Sequence, residues 1–395
     1  MALFQPIDDK KECVGVYTAG TLHFNDIPTN LTRTWRPTSD YGDDIEYAWV
    51  YAQGANMNEI CPERLKEDWE KISRKLRAYK RSFEIGKIDL REHCFFDLVP
   101  HDALARFCEI KNQITEHVLE NTDKPENYDY LVGAEKLLYK IKYQDLKLDS
   151  SDCRSMFVST SLRNASKKIM NGASHIHYNL FGTVTGRLTT QCGSFPVLTM
   201  KKELRRLIKP HNNWFISMDY NGAEARTVLA LSDRHQPEGD IHNWNIVNVF
   251  KNPDMHREEA KTMFFAWLYN PDSPELKTNL YDRKKVLDKY YDGEYITTVF
   301  GRHIKVNDWK ALNYLIQSTT ADLVIERAIE IDKMLEGKKT FISHIVHDEI
   351  VIDFADEDRG MIKEVKEAFA KNRLGKFEVN LKAGKNYYDL DNLVL

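Results

Sequence analysis

Two acidic positions in this sequence could bind metal ions. Asp219 directly follows the run WFISM, whose alternation of apolar and polar residues is typical of a half-buried strand. Asp348 and Glu349, preceded by His347, lie between the β-prone runs FISHIV and IVIDF, which predicts a tight hairpin. Each acid taken alone could equally be a turn residue. Two separated carboxylates at strand ends, however, could hold two divalent ions about 4 Å apart, as in phosphoryl transfer.

A row of cations and aromatic residues lies between these acids in the sequence. Arg257, Lys261, Phe265 and Tyr269 recur every four residues in HREEAKTMFFAWLY. On a helix this spacing places them in one slanted stripe. Two cations followed by two rings suit a nucleoside triphosphate, because cations bind phosphates and rings stack on bases. The alternative is a surface helix whose two aromatic residues belong to the core.

A second helix is predicted from about Trp309 to Leu335, with a buried side rich in Leu and Ile. Asn313 and Gln317 share a polar face of this helix, one turn apart. They could hydrogen-bond base edges or sugars, or they could simply lie on the helix surface.

The elements that must position these residues fall in regions of different character. Residues 1–60 contain short β-prone pieces separated by Asp, Asn, Gly and Pro. From about residue 62 to 148 the pattern is helical and highly charged, which suits either a solvated helix face or an arm that grips a phosphate backbone. After about residue 170, apolar strand-like runs alternate with helical ones. The last region therefore predicts an α+β fold.

Bulk composition restricts the function classes. The chain has 395 residues, of which 42% are apolar and 29% charged, so two or three subdomains of a soluble protein are expected. No apolar run approaches the roughly 20 residues that span a bilayer, and MALFQPIDDKKE does not resemble a secretory signal. We therefore expect no membrane partner and a cytoplasmic location. The six cysteines form no CxxC pair, which argues against a structural zinc site or a disulfide framework.

Several motifs, in order along residues 130–395, resemble those of the family A DNA polymerases, the bacterial polymerase I and phage type. The sequence TGRLTT, containing Arg187, resembles the family's TGRLSS, and DYNGAEAR resembles its first acidic motif, DYSQIELR. A DIH sequence, the RxxxKxxxFxxxY stripe, FGR, an NxxxQ pair, VHDEIV and a closing GKNYYD follow. Each match is weak or moderate, but chance does not account for all of them in this order.

The resemblance implies a fold of class α+β: a right-hand polymerase with an antiparallel-sheet palm, a helical thumb and shortened helical fingers. The implied regions are a small β-rich N-terminal region (1–60), the thumb (61–180), the first part of the palm (181–235), the fingers (236–305) and the second part of the palm (306–395).

The resemblance also implies metal and nucleotide sites. Asp219, Asp348 and the Tyr220 carbonyl would bind two Mg²⁺ ions, for which Mn²⁺ could substitute, and Glu349 would be a lesser ligand. The residues implied for nucleotide binding are Glu224, His242, Arg257, Lys261, Phe265 and Tyr269. Within this set Lys261 could also protonate the leaving pyrophosphate, and Glu224 would exclude a ribose 2′-OH.

Primer and template contacts are implied for a third set of residues, namely Arg187, Arg226, Asn313, Gln317 and His347. The implied partners are primer–template DNA and dNTPs. The implied reaction is attack of a primer 3′-OH on the α-phosphate of a dNTP.

The sequence also departs from the family pattern. Asn221-Gly222 replaces Ser-Gln, and Trp309 stands where an Arg is usual. About thirty residues separate Tyr269 from Phe300, so the fingers are expected to be short. Residues 1–60 are too few for the proofreading exonuclease domain that often precedes this module, and Asp44-Ile45-Glu46 is interpreted as an acidic turn. A phage or plasmid source and a separate exonuclease or processivity subunit are hypotheses on this basis.

Two alternatives remain at this point. A phage-type single-subunit RNA polymerase shares the palm, but Glu224 and the lack of a large promoter-reading domain argue against it. A non-catalytic nucleic-acid-binding scaffold is the second alternative, and the presence of both acids together with the basic stripe argues against that one.

Overall fold

The computed structural model describes residues 2–10, 12–38, 45–90, 92–151, 158–270, 272–274, 276 and 278–395. The chain divides into two compact units, Met1–Tyr139 and Lys140–Leu395. The division falls inside the segment predicted as a thumb, and the first unit is more than twice as long as the predicted 1–60 region. Asp44 of the acidic DxE sequence lies outside the described residues.

The first unit contains a five-stranded sheet in the order β3-β2-β1-β4-β5. The first three strands along the chain are antiparallel, while β4 and β5 run parallel to β1 and to each other. Ala19 and Gly20 both have positive φ, as a tight β2–β3 hairpin turn requires. The strand bounds are β1 (Ala2–Asp9), β2 (Glu12–Thr18), β3 (Thr21–His23), β4 (Leu31–Thr34) and β5 (Glu46–Tyr47).

The helices predicted after residue 60 are present. The 23-residue α3 buries Leu65, Trp69 and Ile72, and the Trp69 ring stacks on Phe107 of α4 at 5.5 Å. This apolar side explains why a helix with so many charges is stable, since its charged residues face solvent. The bounds are α1 (Ala48–Tyr51), α2 (Met57–Ile60), α3 (Glu63–Ile85), a 3₁₀ turn (Phe96–Leu98), α4 (His101–Asn121) and α5 (Tyr128–Lys142).

The second unit is built around an antiparallel sheet in the order β13-β14-β10-β17-β18. Its register pairs Asp219 with Glu349 on one side and with Asn380 on the other. The end of β10 therefore lies beside the β13–β14 turn. The bounds are β10 (Trp214–Tyr220), β13 (Phe341–Val346), β14 (Glu349–Phe354), β17 (Val379–Gly384) and β18 (Asp391–Asn392).

The predicted hairpin around His347 is present but one residue tighter than expected. Glu349 is already the first residue of β14, so the connection consists of His347 and Asp348 alone. His347 has φ of 57°, a left-handed conformation that a residue other than Gly rarely adopts.

Two helices of the second unit connect the sheet to the rest of the site. The predicted Trp309–Leu335 helix is observed as α11 (Asp308–Met334), and α7 (Ala223–Leu231) packs on it. The remaining elements are β6 (Lys147–Leu148), α6 (Thr160–Met170), β7 (Tyr178–Asn179), β8 (Thr189–Thr190), a 3₁₀ turn (Lys202–Leu207), β9 (Ile208–Lys209), a 3₁₀ turn (Asp356–Met361), α12 (Ile362–Ala370), β15 (Lys371–Asn372) and β16 (Gly375–Lys376).

The regular structure of the region predicted as fingers is mainly helical, and the region shares one apolar core with α7 and the first half of α11. Phe264, Trp267 and Tyr281 are among its most buried rings. The predicted limits at 235 and 305 therefore cut through a continuous core. The bounds are α8 (Ile241–Asn245), a π-helical turn (Ile246–Phe250), α9 (Arg257–Tyr269), α10 (Arg283–Tyr290), β11 (Tyr295–Thr297) and β12 (His303–Lys305).

None of the helices among the described residues is both long and apolar enough to cross a membrane.

Candidate active site

A cavity of about 490 Å³ lies at the end of β10 in the second unit. Three of the predicted metal-binding positions line it: Asp219, Tyr220 and Asp348. All six predicted nucleotide-binding residues line it as well: Glu224, His242, Arg257, Lys261, Phe265 and Tyr269. Three of the five predicted DNA contacts, Arg187, Gln317 and His347, complete the set. Residues from six separate stretches of sequence thus meet in one place.

Asp219 is held at the cavity by its own strand and by one neighbour. Asn380 of β17, its partner in the sheet register, donates its side-chain amide to Asp219 Oδ2 at 3.0 Å. Burial raises the pKa of Asp219, and the hydrogen bond from Asn380 and the charge of Lys382 only partly oppose this rise. The carboxylate is therefore short of positive charge.

The electrostatic environment of Asp348 resembles that of Asp219. Burial raises its pKa to about 6, and the negative charges of Asp219, Glu224 and Glu349 add to the rise. Two neighbouring carboxylates that each resist ionisation form a site where a divalent cation would relieve both penalties. No group of three or more His, Cys, Asp or Glu side chains suited to a metal occurs among the described residues. Two carboxylates still suit Mg²⁺, which takes its other ligands from water and substrate phosphates.

Glu349 does not line this cavity, and its predicted role as a lesser metal ligand stays a prediction. Its Oε1 accepts a hydrogen bond from the Ser217 hydroxyl at 2.6 Å, and its Oε2 accepts one from the Tyr387 hydroxyl at 2.8 Å. Both oxygens are used inside the protein, although Glu349 begins β14 directly opposite Asp219 in the sheet register. Its position instead ties β14 to β10 and to the C-terminal segment.

The α9 stripe faces the cavity as its spacing predicts. The Phe265 and Tyr269 rings are stacked, with centroids 5.7 Å apart and planes 8° apart. Tyr269 remains 40% exposed, so the alternative that places both rings in the core is wrong. Phe264 and Trp267, on the other side of α9, fill the core instead.

Glu224 connects two of the predicted site residues. Its Oε1 accepts from Arg187 Nη2 at 2.6 Å, and its Oε2 accepts from the Tyr269 hydroxyl. Burial and the hydrogen bond to Glu224 raise the pKa of Tyr269, so this phenol stays protonated and donates. Glu224 thus joins the residues after β10 to the C-terminal end of α9.

His242, a predicted nucleotide-binding residue, lines the cavity as a buried ring. It is 2% exposed, and burial lowers its pKa to about 4, with the charges of Arg257 and Lys261 acting in the same direction. The ring is therefore neutral at pH 7. Its Nδ1 is buried without a hydrogen-bond partner, and a neutral imidazole has one ring nitrogen that donates and one that accepts.

Arg226 cannot contact DNA in this structure, which corrects the prediction. Its side chain is fully buried. The guanidinium donates to the carbonyl oxygens of Asn221 at 2.7 Å, Pro237 at 2.9 Å and Gly239 at 2.6 Å. It faces inward because it lies on the same side of α7 as apolar core residues, and it fastens the 237–239 loop. Asn313, the other DNA prediction outside the cavity, is half-buried on α11, one turn before Gln317.

Two contributors were missed by sequence reasoning. Asn380 lies inside β17 with no motif around it, so only the sheet register reveals its contact with Asp219. Arg302, of the FGR sequence, pairs with the fully buried Asp322 at 2.7 and 3.0 Å. Gly186 makes room for this pair, since a Cβ there would lie 2.5 Å from the Arg302 guanidinium.

No family model matches the chain. It is 24% identical to a protein named DNA polymerase I from Chloroflexus aurantiacus, over 57% of this chain and 30% of that protein. The corresponding proteins of Caldicellulosiruptor bescii and Aquifex aeolicus are 23% and 22% identical, over 32% and 45% of their lengths. The chain thus spans less than half the length of these curated relatives.

A solved structure shares the fold. The polymerase domain of Pol1 from M. smegmatis, in complex with DNA primer–template and dNTP, matches 73% of this chain and 76% of its own with a TM-score of 0.57. Identity over that match is 14%, so the likeness concerns the fold. Together these relatives confirm the resemblance to family A polymerases and the predicted α+β fold with an antiparallel palm sheet.

Proposed function

We propose that this chain is a template-directed DNA polymerase that adds dNTPs to a primer 3′-OH and releases pyrophosphate. One observation carries the proposal: Asp219 and Asp348 share a cavity with the cations and rings of the α9 stripe. The names of the curated relatives support it. The chain would then be a DNA-directed nucleotidyltransferase whose partners are primer–template DNA and dNTPs.

Asp219 and Asp348, with the Tyr220 carbonyl, would hold two Mg²⁺ ions, or Mn²⁺ in their place. The donor set fits, because hard carboxylate oxygens are available and both carboxylates have raised pKa values. Bound there, the ions would supply charge neutralisation at the attacking and leaving oxygens.

The chain's own side chains would bind and orient the nucleotide. Lys261 is exposed at the cavity and Arg257 lies one turn away on α9, so both can contact the triphosphate. The primer 3′-OH would give its proton to water as its oxygen forms a bond to the α-phosphorus, while the bond from that phosphorus to the bridging oxygen breaks. Lys261 would give a proton to that departing oxygen. Neutral His242 would add a hydrogen bond, and Phe265 would stack on the base.

Glu224 would select deoxyribose. Arg187 and Tyr269 fix both of its carboxylate oxygens, so the side chain cannot turn away from a bulky sugar. A ribose 2′-OH would collide with the Glu224 carboxylate, which is held in place and whose two oxygens already accept hydrogen bonds. This argument favours a DNA polymerase over the RNA polymerase alternative.

Proofreading would fall to another protein. A separate exonuclease or processivity subunit, in phage or plasmid replication, completes the proposal. Co-purification of the native complex would test it, and a protein that always isolates alone would contradict it.

Primer extension tests the central claim. A labelled primer–template is incubated with dNTPs, Mg²⁺ and either wild type, Asp219→Ala or Asp348→Ala. We expect each substitution to abolish synthesis while gel-shift binding of the DNA persists. Asp391→Ala, an exposed acid on β18 of the same sheet, is the matched control and should extend like wild type. An inactive wild type would refute the function, and substantial synthesis by either variant would refute the metal assignment.

A further inference from the structure

Asn221 lies two residues after Asp219 and is 6% exposed. Both polar atoms of its side-chain amide form hydrogen bonds with residues at the start of α8. The Nδ2 group donates to Asp240 Oδ2 at 2.9 Å, and Oδ1 accepts from the backbone N–H of Ile241 at 2.9 Å. One side chain thus fastens the end of β10 to the residues just before His242.

Asp240 continues the connection to α9. Its Oδ1 accepts from the backbone N–H groups of His242 and Asn243 and so caps α8. Its Oδ2, besides the bond from Asn221, accepts from Arg257 Nε and Nη2 at 3.1 and 2.8 Å. Burial alone would raise the pKa of Asp240, but the hydrogen bonds from Arg257 and Asn221 hold it well below its usual range. Asp240 is therefore a charged link between strand and helix.

The backbone around Asn221 is shaped to permit this link. Gly222 has φ of 62°, and a Cβ there would lie 2.3 Å from Ile241 Cγ2. Only glycine lets the two segments approach so closely. From the other side, the buried Arg226 holds the Asn221, Pro237 and Gly239 carbonyls together.

We propose that Asn221 is a positioning residue, which through Asp240 sets where Arg257 and His242 lie relative to Asp219. The inference rests on the proposed function, because those groups are the phosphate-binding groups of that site. The amide suits the position because it offers a donor to the Asp240 carboxylate and an acceptor to the Ile241 N–H. An Asp at 221 would place a second negative charge beside Asp240, and a Ser would be too short to make both bonds.

Single-nucleotide insertion kinetics test the assignment. For Asn221→Ala we expect the KM for dNTP to rise roughly tenfold to a hundredfold, the range for losing a hydrogen bond to a charged group. The kcat should change less than threefold, because Asp219 keeps its own bond to Asn380. Asn221→Ser should fall between alanine and wild type. Asn243→Ala, an exposed asparagine on α8, is the matched control and should keep the wild-type KM.

Binding without chemistry gives a second readout. A primer that ends in a dideoxynucleotide cannot be extended, so a gel shift with competitor DNA measures the dNTP concentration that stabilises the complex. For Asn221→Ala we expect this concentration to rise by the same factor as KM. Melting temperatures within a few degrees of wild type would show that the variants are folded. A fall in kcat at constant KM, or an unchanged dNTP requirement in both assays, would overturn the assignment.

A double-mutant cycle checks that the effect passes through Asp240. Once Asp240→Ala is present, adding Asn221→Ala should raise KM less than twofold further, because the link is already broken. Independent, multiplicative effects would contradict the proposal. If wild type itself extends no primer, the proposed function fails instead, so the two failures are distinguishable. If Asn221→Ala does not fold, Asn221→Ser and Asp240→Ala carry the same test.

Discussion

The carboxylate end of the palm sheet and the stripe on α9 face the same cavity, but they are held there by different means. Asp219 is set by strand register, since its partners in β14 and β17 follow from the sheet pairing. The stripe depends on side-chain bridges, with Arg257 held by Asp240 at one end of α9 and Tyr269 by Glu224 at the other. The proposed metal end is therefore fixed by the backbone, whereas the proposed nucleotide end depends on a few polar contacts. Substitutions at the two ends should therefore have different kinds of effect on the reaction.

The sharpest contrast lies within the sheet end itself, between adjacent acids. Asp348→Asn should lower kcat by roughly a thousandfold or more, because it removes one of the two carboxylates proposed to bind the metal ions. Glu349→Gln should lower kcat less than tenfold, because its oxygens already accept from Ser217 and Tyr387. Primer-extension rates at saturating dNTP measure both. Equal losses in the two variants would mean that Glu349 also binds metal.

At the stripe, Lys261→Ala should be the most damaging change. We expect a loss of roughly a hundredfold or more in kcat, the range for removing a general acid. Lys261→Arg, which keeps the charge but does not readily lose a proton, should restore nucleotide affinity without restoring kcat. Single-turnover insertion separates the two constants. Full recovery of kcat by arginine would assign Lys261 a purely electrostatic role.

Glu224→Ala should alter selectivity more than speed. Without the held carboxylate, incorporation of rNTPs relative to dNTPs should rise by roughly tenfold or more, while dNTP insertion falls modestly. Competition between matched dNTP and rNTP on one template measures the ratio. Tyr269→Phe leaves the Arg187 contact in place and should change the ratio less. An unchanged ratio in Glu224→Ala would remove this residue from sugar selection.

The last prediction concerns the free energy of unfolding rather than catalysis. His344 in β13 is fully buried, and burial lowers its pKa to about 3, with Arg205 acting in the same direction. Below about pH 6.5 the unfolded chain binds a proton at this residue that the folded chain refuses. The stabilisation is therefore complete above pH 6.5 and is lost as the pH falls toward 3, at about 1.4 kcal/mol per pH unit.

Asp348 has the opposite sign, since its raised pKa favours the folded state at low pH and the gain disappears as pH rises through about 6. Comparing wild type with His344→Gln isolates the histidine. In urea unfolding with a chelator present, the wild type should lose more stability than the variant between pH 6.5 and 5. If the free energy of unfolding changes with pH by the same amount in the two proteins, His344 is not responsible for the pH dependence.

The individual elements of the site could be read from the sequence because their signals are local. The alternation of apolar and polar residues indicated β10, and turn residues between two β-rich runs indicated the β13–β14 hairpin. The recurrence of cations and rings at every fourth residue indicated the α9 stripe. Order and spacing of the motifs then gave the family resemblance, and the shared cavity agrees with it. The limits of the compact units were harder to predict from the sequence. The division at Tyr139 and the apolar core of the region predicted as fingers both depend on contacts between distant segments.

Which polar residues face the site was decided by the tertiary structure. Asp348 and Glu349 are adjacent acids in the sequence, but Asp348 lines the cavity from the turn, whereas Glu349 begins β14 and is hydrogen-bonded to Ser217 and Tyr387. Arg226 carries the same charge as Arg187, yet α7 turns it inward to three carbonyl groups. Sequence alone therefore determined which chemistry is present and on which elements. Strand register and helix facing, which arise only when distant segments pack, determined which of those groups can reach a substrate.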